Sequence, residues 1–315
     1  MKKNLLVTLA NQKYLDMAKQ LFSSVYFNAG WKGDYMLLSY LIPEENLSWF
    51  KEKGILVKKC QPIINNIHNA PLPLVFVKFY CFTTEFKKWD NIVFLDADII
   101  CQGSLDLLTE IKGFAAAEDT TGVVRYQFVK ENEGNRTLFR ELKKEYKLSR
   151  PSFTAGVMAF STDIIKEDTF SQLISLTQKY EVIYLTYEQT VLNLFFKEWK
   201  RLPIVFNTLD YVLLNILGMG VFKQGVETIV LHLVDGKTYF TSPYPEDLVC
   251  KEWRENLEKS ELIALDKFVP PKKTWTKKEI NKLDLKYKKL YKIWKKAAHN
   301  GWRKRSFKQP KLNIF

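Results

Sequence analysis

Short apolar runs alternate with longer segments of helical period over the first hundred residues of the chain. The apolar runs predict strands at residues 5–10, 35–41, 55–57 and 91–95. The segments between them predict helices at residues 14–27, 44–53 and 75–88. Strands that alternate with helices are typical of an α/β fold with a mainly parallel central sheet.

Two acidic residues follow the last of these strands, in the sequence Leu95-Asp96-Ala97-Asp98. Ligands of open α/β sheets bind beyond the carboxyl ends of the strands. Two carboxylates beside an apolar strand are costly unless a cation or hydrogen bonds compensate them, and oxygen ligands suit Mg²⁺ or Mn²⁺. The pattern is therefore compatible with a metal site that meets a diphosphate, although such a pair taken alone is more often an ordinary structural feature. The alternative is an ordinary helix N-cap formed by Asp98 or Ser104.

The positive charge of the chain is concentrated at its C-terminus. Residues 267–315 hold 17 basic and two acidic side chains, which leaves the first 266 residues with a net charge of −2 out of a total of +13. Apolar and aromatic residues recur there at steps of three and four from Ile280 to Ala298, and lysines fill most positions between them. This pattern is typical of a helix that lies on an anionic membrane surface, which we expect for residues 275–308. A helix that packs on the body with a solvated basic face is the alternative.

Composition excludes several other classes of protein. With 315 residues, 46% of them hydrophobic, the chain can bury a substantial core. Its apolar runs are shorter than the roughly 20 residues that span a bilayer, and the apolar part of its N-terminus is shorter than a secretory signal needs. The four cysteines show no paired spacing, which predicts free and mostly buried thiols. We therefore expect a cytoplasmic protein.

The segment IVFLDADIICQGSLDLL resembles the metal-binding segment of retaining glycosyltransferase family 8, which includes glycogenin and bacterial lipopolysaccharide galactosyl- and glucosyltransferases. Other segments are similar to that family in the family's order: VTLANQKYL, VFVKFYCF, PSFTAGVMAFSTD, YEQTVLNLFF, LPIVFN and VLHLVDGKTYF. Thr154 stands where the family has Asn, and Glu188 stands where it has Asp. The resemblance covers residues 5–239. It implies one Rossmann-like nucleotide-sugar-binding domain of GT-A type at residues 1–265, followed by the basic tail at residues 266–315.

The resemblance also implies a set of site residues. A divalent metal, Mn²⁺ or Mg²⁺, is expected on Asp96, Asp98 and His232. The residues expected to contact the UDP-sugar donor are Leu9, Asn11, Tyr14, Lys78, Asp96, Ala97, Asp98, Gly236 and Lys237. The residues expected near the transferred sugar and the acceptor are Asp119, Thr154, Ala155 and Gly156. Gln189 and Glu188 are then the catalytic candidates, with same-face attack favoured and a Glu188 nucleophile as the alternative.

Three of these residues also have ordinary structural explanations. His232 ends an apolar run, and without the resemblance a lone histidine in a strand is more often a core or edge residue than a metal ligand. Lys78 interrupts an apolar run at helical spacing, which also fits a lysine on the solvent-exposed face of a helix. Asp119 fits a polar loop residue almost as well as a sugar contact.

The resemblance implies a metal-dependent retaining hexosyltransferase that moves a sugar from UDP to a saccharide acceptor. The basic tail favours a lipid-linked or lipopolysaccharide-type glycan as acceptor, at the inner face of the membrane. The main alternative is a soluble glycogenin-like or protein-directed glycosyltransferase. A nucleic-acid-binding protein, whose tail aromatics stack on bases, leaves the donor residues unexplained, so no nucleic-acid partner is expected.

Overall fold

The structure, a computed structural model, describes residues 3–63, 73–217, 223, 225–234 and 248–304, and for residues 297–304 it describes the helical backbone alone. The strands are β1 Asn4–Ala10, β2 Asp34–Tyr40, β3 Leu56–Cys60, β4 Asn91–Leu95, β5 Ile99–Cys101, β6 Phe114–Val123, β7 Pro151–Ser161, β8 Lys200–Leu202, β9 Thr208–Leu209 and β10 Val230–His232. The α-helices are α1 Leu15–Ser24, α2 Ser48–Glu52, α3 Arg136–Glu145, α4 Thr169–Tyr180, α5 Tyr187–Phe195, α6 Asp210–Leu217, α7 Leu248–Lys259 and α8 Lys277–Lys304.

Seven of the described strands form one central sheet in the order β3-β2-β1-β4-β7-β6-β8. The first four strands in this order are parallel to one another, and β8 is parallel to β6. Strand β7 runs antiparallel to both of its neighbours, β4 and β6. The predicted α/β fold with a mainly parallel sheet is therefore confirmed. Because β7 runs antiparallel to β4, its first half lies at the sheet edge where β1 and β4 end.

A smaller sheet continues this edge. Its three strands lie in the order β5-β10-β9. Strand β5 begins one residue after Asp98, and its Ile99 pairs with His232 of β10. The ladder between β10 and β9 pairs His232 with Leu209. These pairings bring a histidine more than a hundred residues away to the end of the acidic segment.

Apolar side chains cover both faces of the central sheet because successive residues of a strand point to opposite sides. Leu6 and Val93 lie in one buried core, together with side chains of α1, α7 and α8. Leu5 and Ile92 lie in the other, together with side chains of α3, α4 and α5. The two central strands are thus apolar over most of their length, as is usual for parallel strands with both faces covered.

The segment predicted as a helix at residues 75–88 adopts a tighter conformation than expected. It forms two 3₁₀ helices, Pro73–Phe82 and Thr84–Lys88. Side chains three residues apart eclipse one another in a 3₁₀ helix, and Phe76, Phe79 and Phe82 are all buried at that spacing. A buried row of three phenylalanines therefore accounts for the difference.

The C-terminal helix α8 packs on the body of the protein. Ile280, Leu283 and Tyr287 of its apolar stripe are buried in the same core as β1 and α1. Tyr291 is buried against Leu209 and its neighbours. The stripe that we interpreted as a membrane-facing surface is therefore already covered by protein. The structure adopts the packed arrangement that the sequence left open as the alternative.

Two further predictions concern the whole chain. All four cysteines are free and buried, which confirms the prediction of unpaired thiols. Among the helices that the structure describes, none has the length and apolar character needed to cross a membrane.

Candidate functional site

Asp96, Asp98 and His232 converge at the carboxyl end of β4. The ligand atoms that they offer all lie within 4.8 Å of one another. Two backbone hydrogen bonds fix this arrangement: the Asp96 N–H donates to the carbonyl of Gly156 over 2.9 Å, and the Leu233 N–H donates to the carbonyl of Asp98 over 2.8 Å. Two carboxylates and one imidazole form a donor set that suits Mn²⁺ or Mg²⁺.

Asn207 holds the imidazole of His232. The Oδ1 atom of Asn207 lies 2.8 Å from Nδ1 of His232, and both side chains are buried. An amide oxygen can only accept a hydrogen bond. The imidazole of His232 therefore donates a hydrogen bond from Nδ1, which leaves its Nε2 facing Asp98. Such an outer partner fixes the tautomer and orientation of a metal-binding histidine.

The space around this cluster fits a cation. Asp98 Oδ1 is buried, lacks a hydrogen bond within the described residues, and lies 3.1 Å from His232 Nε2. Two electron-rich atoms at this distance need a positive charge between them. Burial lowers the pKa of His232, but Asp98, together with Asp96 and Asp210, raises it above its usual value. The same carboxylates that favour a proton on Nε2 favour a metal there.

Gly156 leaves room for the cluster. A Cβ atom at this position would lie 2.3 Å from Cε1 of His232 and 3.0 Å from Oδ2 of Asp96. Any side chain would therefore displace the histidine, the aspartate or both. The close approach of β7 to two candidate ligands accounts for glycine at this position.

Lys78 joins the acidic segment to helix α5. Its Nζ lies 2.9 Å from Asp96 Oδ1 and 2.9 Å from Glu188 Oε1. Burial of Lys78 lowers its pKa, but the two carboxylates outweigh burial and raise that pKa above its usual value. Burial also raises the pKa of Glu188, against the effect of Lys78. The alternative of a solvated lysine is excluded, because only 4% of Lys78 is exposed.

Asp119 and Gln189 form a second polar group at the same edge. Gln189 Nε2 donates to Asp119 Oδ2 over 3.1 Å, and its Oε1 accepts from the Ala155 N–H over 3.1 Å. Asp119 also accepts from the Gln127 side chain and the Thr121 hydroxyl, over 2.8 and 2.7 Å. Asp119 is therefore a buried and fully bonded carboxylate of β6 rather than a free loop residue.

Helix α5 starts in a strained conformation next to these groups. Tyr187 has a φ of +40°, which is rare for residues other than glycine. Such strain costs about 1–3 kcal/mol and persists where the surroundings hold it. Asn193 ties this helix to β7, because its side chain bonds to both backbone groups of Phe153 and to the carbonyl of Gln189. Glu188 and Gln189 are thus held rigidly against β7.

The turn after β1 faces the acidic segment. Asn11 caps this turn, since its side chain accepts from the Lys13 N–H over 2.9 Å. Tyr14 follows, and burial together with the charge of Asp98 raises the pKa of its hydroxyl. Leu9, the last residue but one of β1, is buried. This turn therefore lies beside the candidate metal cluster.

Comparison with known proteins identifies this arrangement. A family model described as "Glycosyl transferase family 8" matches residues 6–232, which include all three candidate metal ligands. The chain belongs to glycosyl transferase family 8. The resemblance read from the sequence is thereby confirmed.

Individual relatives differ in how much they share with this family 8 chain. Glycosyltransferase GlyB of Streptococcus pneumoniae serotype 4 is 28% identical over 176 residues, or 53% of this chain and 37% of GlyB. Galactosyltransferase LgtC, solved with donor and acceptor sugar analogs, has a TM-score of 0.59 at 14% identity over 81% of this chain and 95% of LgtC. The bifunctional glycosyltransferase WbbM has a TM-score of 0.59 at 14% identity over 83% of this chain and 51% of WbbM. The chain thus spans 37% of GlyB and 51% of WbbM, and the two structural likenesses show a shared GT-A type fold.

The structure brings most of the predicted family 8 residues to one sheet edge. Those with described positions there are Leu9, Asn11, Tyr14, Lys78, Asp96, Ala97, Asp98, Asp119, Thr154, Ala155, Gly156, Glu188, Gln189 and His232. Gly236 and Lys237 lie outside the described residues, and their donor contacts stay predictions.

Sequence reasoning missed the residues that hold this site in place. Asn207 ended a matching segment but was given no role, although it binds His232. Gln127 lies in the short 3₁₀ helix Val124–Gln127 after β6, and its contact with Asp119 has no local sequence signal. Asn193 matched the family segment around Gln189, and that match was the only signal for its role.

Proposed function

We propose that this protein transfers a hexose from a UDP-sugar to a saccharide acceptor, with retention of the anomeric configuration. The observation that carries the proposal is the convergence of Asp96, Asp98 and His232 at the ligand-binding edge of a family 8 fold. We assign the metal to these three residues, with Mn²⁺ as the first candidate and Mg²⁺ as the second. The turn of Leu9, Asn11 and Tyr14 is then the proposed nucleoside contact.

The donor side of the site is built for a diphosphate. A bound divalent cation would stabilise the negative charge that develops on the UDP leaving group. Lys78 supports the same role, because its buried ammonium lies beside Asp96 and adds positive charge to the cleft. Ala97 lies between the two aspartates and is proposed to contact the nucleotide. Gly236 and Lys237 are proposed to contact the diphosphate.

The sugar side supports same-face attack over a carboxylate nucleophile. Glu188 is 7% exposed and already paired with Lys78 over 2.9 Å, so its carboxylate is engaged away from open solvent. Gln189 is held between Asp119 and the Ala155 backbone. We assign Gln189 and Glu188 to stabilising the charged sugar in the transition state. Asp119, with Thr154 to Gly156 of β7, is assigned to orienting the sugar and acceptor.

The proposal is tested by incubating the protein with a panel of nucleotide sugars and measuring donor hydrolysis and transfer. We expect turnover of a UDP-hexose in the presence of Mn²⁺, and its loss when a chelator is added. NMR of the product from an α-configured donor should give an α linkage. A β linkage, or full activity in excess chelator, would contradict the retaining and metal-dependent mechanism respectively.

The acceptor is proposed to be lipid-linked because helix α8 presents cations to solvent. Lys282, Lys286, Lys289 and Lys296 are exposed, and so are two apolar side chains beside them, Leu285 and Ile293. Lysines near an anionic membrane contribute about 1 kcal/mol each. Membrane contact through this outer face, rather than through the covered stripe, would place the protein at the inner membrane surface. A glycogenin-like or protein-directed transferase remains the second candidate for the same site.

We expect the full-length protein to sediment with phosphatidylglycerol vesicles at low salt and to be released as salt increases. The triple variant Lys282→Glu, Lys286→Glu, Lys289→Glu should lose this binding and keep the hydrolysis of a UDP-sugar. A matched control changes three exposed lysines of the body, Lys112, Lys147 and Lys166, to Glu. Equal losses in both variants, or no binding by the wild type at low salt, would exclude a specific membrane face on α8.

A further inference from the structure

Helix α8 makes polar contacts with the segment that leads from β8 to β10. Asp284 Oδ1 accepts from the Ile204 N–H over 2.6 Å. Further along the helix, the Tyr291 hydroxyl accepts from the Leu209 N–H over 2.7 Å and donates to the Asn207 carbonyl over 3.3 Å. The helix therefore fixes the backbone of this segment in addition to covering its apolar side chains.

Both residues that Tyr291 binds are direct neighbours of His232. The side chain of Asn207 bonds to Nδ1 of the imidazole. Leu209 is the ladder partner of His232 between β9 and β10. The Tyr291 hydroxyl therefore bonds to both residues that adjoin His232, the candidate metal ligand.

The Tyr291 hydroxyl lies in the protein interior, so water cannot take over its hydrogen bonds when it is removed. Tyr291 is 6% exposed, Asn207 2% and His232 5%. Loss of the hydroxyl would leave the Leu209 N–H without its partner in a place that water does not reach, and buried polar groups without a partner are costly. We expect the segment to shift in response and to carry the Asn207 side chain with it.

A second contact from the same turn of α8 reaches the other polar group of the site. Trp294 packs against Tyr211 at a centroid distance of 5.6 Å, and the Tyr211 hydroxyl lies 2.7 Å from the hydroxyl of Thr120. Lys295 Nζ lies 2.9 Å from Glu118. These two β6 residues flank Asp119, so this turn of the helix braces both halves of the site.

We propose that Tyr291 is a positioning residue for His232, acting through Asn207 and Leu209, and that α8 is therefore an integral part of the catalytic unit. The effect on the metal rests on the proposed function. The effect on the ring of His232 does not.

The test compares Tyr291→Phe with Tyr26→Phe, each of which removes one buried hydroxyl. Tyr26 is a matched control because it is also 6% exposed and its hydroxyl bonds to two backbone carbonyls, those of Ala264 and Lys267, far along the chain from the site. The first readout is the tautomer ratio of the His232 ring from ¹⁵N NMR of metal-free protein at alkaline pH. The second is Mn²⁺ affinity by electron paramagnetic resonance in the presence of UDP.

We expect wild type and Tyr26→Phe to give the same tautomer ratio for His232, and Tyr291→Phe to give a different one. Outer partners of metal ligands typically change affinity by about 10- to 100-fold. We expect Tyr291→Phe to weaken Mn²⁺ binding by roughly tenfold, at the lower end of this range. An unchanged tautomer ratio in Tyr291→Phe would overturn the proposal. If the wild type binds no Mn²⁺, the metal assignment fails, and the tautomer ratio alone decides the positioning role.

A double-mutant cycle tests whether the effect passes through Asn207. Residues that act through one another are not additive. Asn207→Ala should weaken Mn²⁺ binding more than Tyr291→Phe, and the loss in the double variant should be smaller than the sum of the two single losses. Additive losses would show that Tyr291 acts on the fold in general, and would overturn the proposed path.

Discussion

Asp98→Asn is expected to remove Mn²⁺ binding and UDP-sugar turnover while the protein stays folded. Asn keeps the shape of the side chain but lacks its negative charge, so it is a poor ligand for a hard divalent cation. Loss of a preorganised electrostatic group of this kind lowers turnover by about 10²- to 10³-fold or more. The fold should survive because the hydrogen bond between the Asp98 carbonyl and the Leu233 N–H uses the backbone, which the substitution leaves unchanged.

The measurements are Mn²⁺ binding by calorimetry, donor hydrolysis, and thermal unfolding. Asp106→Asn is the matched control, because it makes the same change at an exposed position eight residues further along the chain. It should behave as wild type in all three assays. Mn²⁺-dependent turnover by Asp98→Asn within tenfold of wild type would exclude Asp98 as a ligand.

Lys78→Met is expected to destabilise the protein by about 3–5 kcal/mol, which is the usual cost of removing one partner of a buried ion pair. Methionine fills a similar volume but leaves Glu188, buried at 7% exposure, and the nearby Asp96 without their shared cation. Urea unfolding measures the change. Turnover should fall as well, because the positive charge proposed for the diphosphate is lost.

A second substitution separates charge from packing in this experiment. Adding Glu188→Gln to Lys78→Met removes the buried charge that has lost its partner, so the double variant should regain part of the lost stability. Lys88→Met, at an exposed position, is the control for the change of residue type and should leave stability nearly unchanged. A cost below about 1 kcal/mol for Lys78→Met would mean that the ion pair is solvated and that its burial does not govern the site.

Local sequence patterns predicted the elements that depend on local physics. The alternation at β1, β2 and β4 gave the parallel part of the sheet, and the acidic residues after β4 gave the edge where ligands bind. The amphipathic period at residues 280–298 gave a helix, which the structure confirms as α8. The segment at residues 75–88 was the exception, because its side chains are buried on more than one face and the helical period carries little information there.

The same patterns did not predict which parts of the protein these helices and side chains contact. The stripe of α8 is apolar whether it meets a membrane or the body of the protein, so its period is equally consistent with both. Lys78 shows a similar ambiguity. A lysine within an apolar run can lie on the solvent-exposed face of a helix or form a buried ion pair. Its partners are 18 and 110 residues away. Only their positions in the fold decide between the two.

The sequence by itself determined the α/β class, the acidic pair at the end of β4, and the family to which the chain belongs. These follow from hydrophobic period and from side-chain chemistry at adjacent positions. The tertiary structure decided how the site is held: His232 by Asn207, Asn207 by Tyr291 of the C-terminal helix, and Asp119 by Gln127 and Gln189. These hydrogen bonds join residues far apart in the chain, and their geometry depends on strand pairing and helix packing that no local pattern specifies.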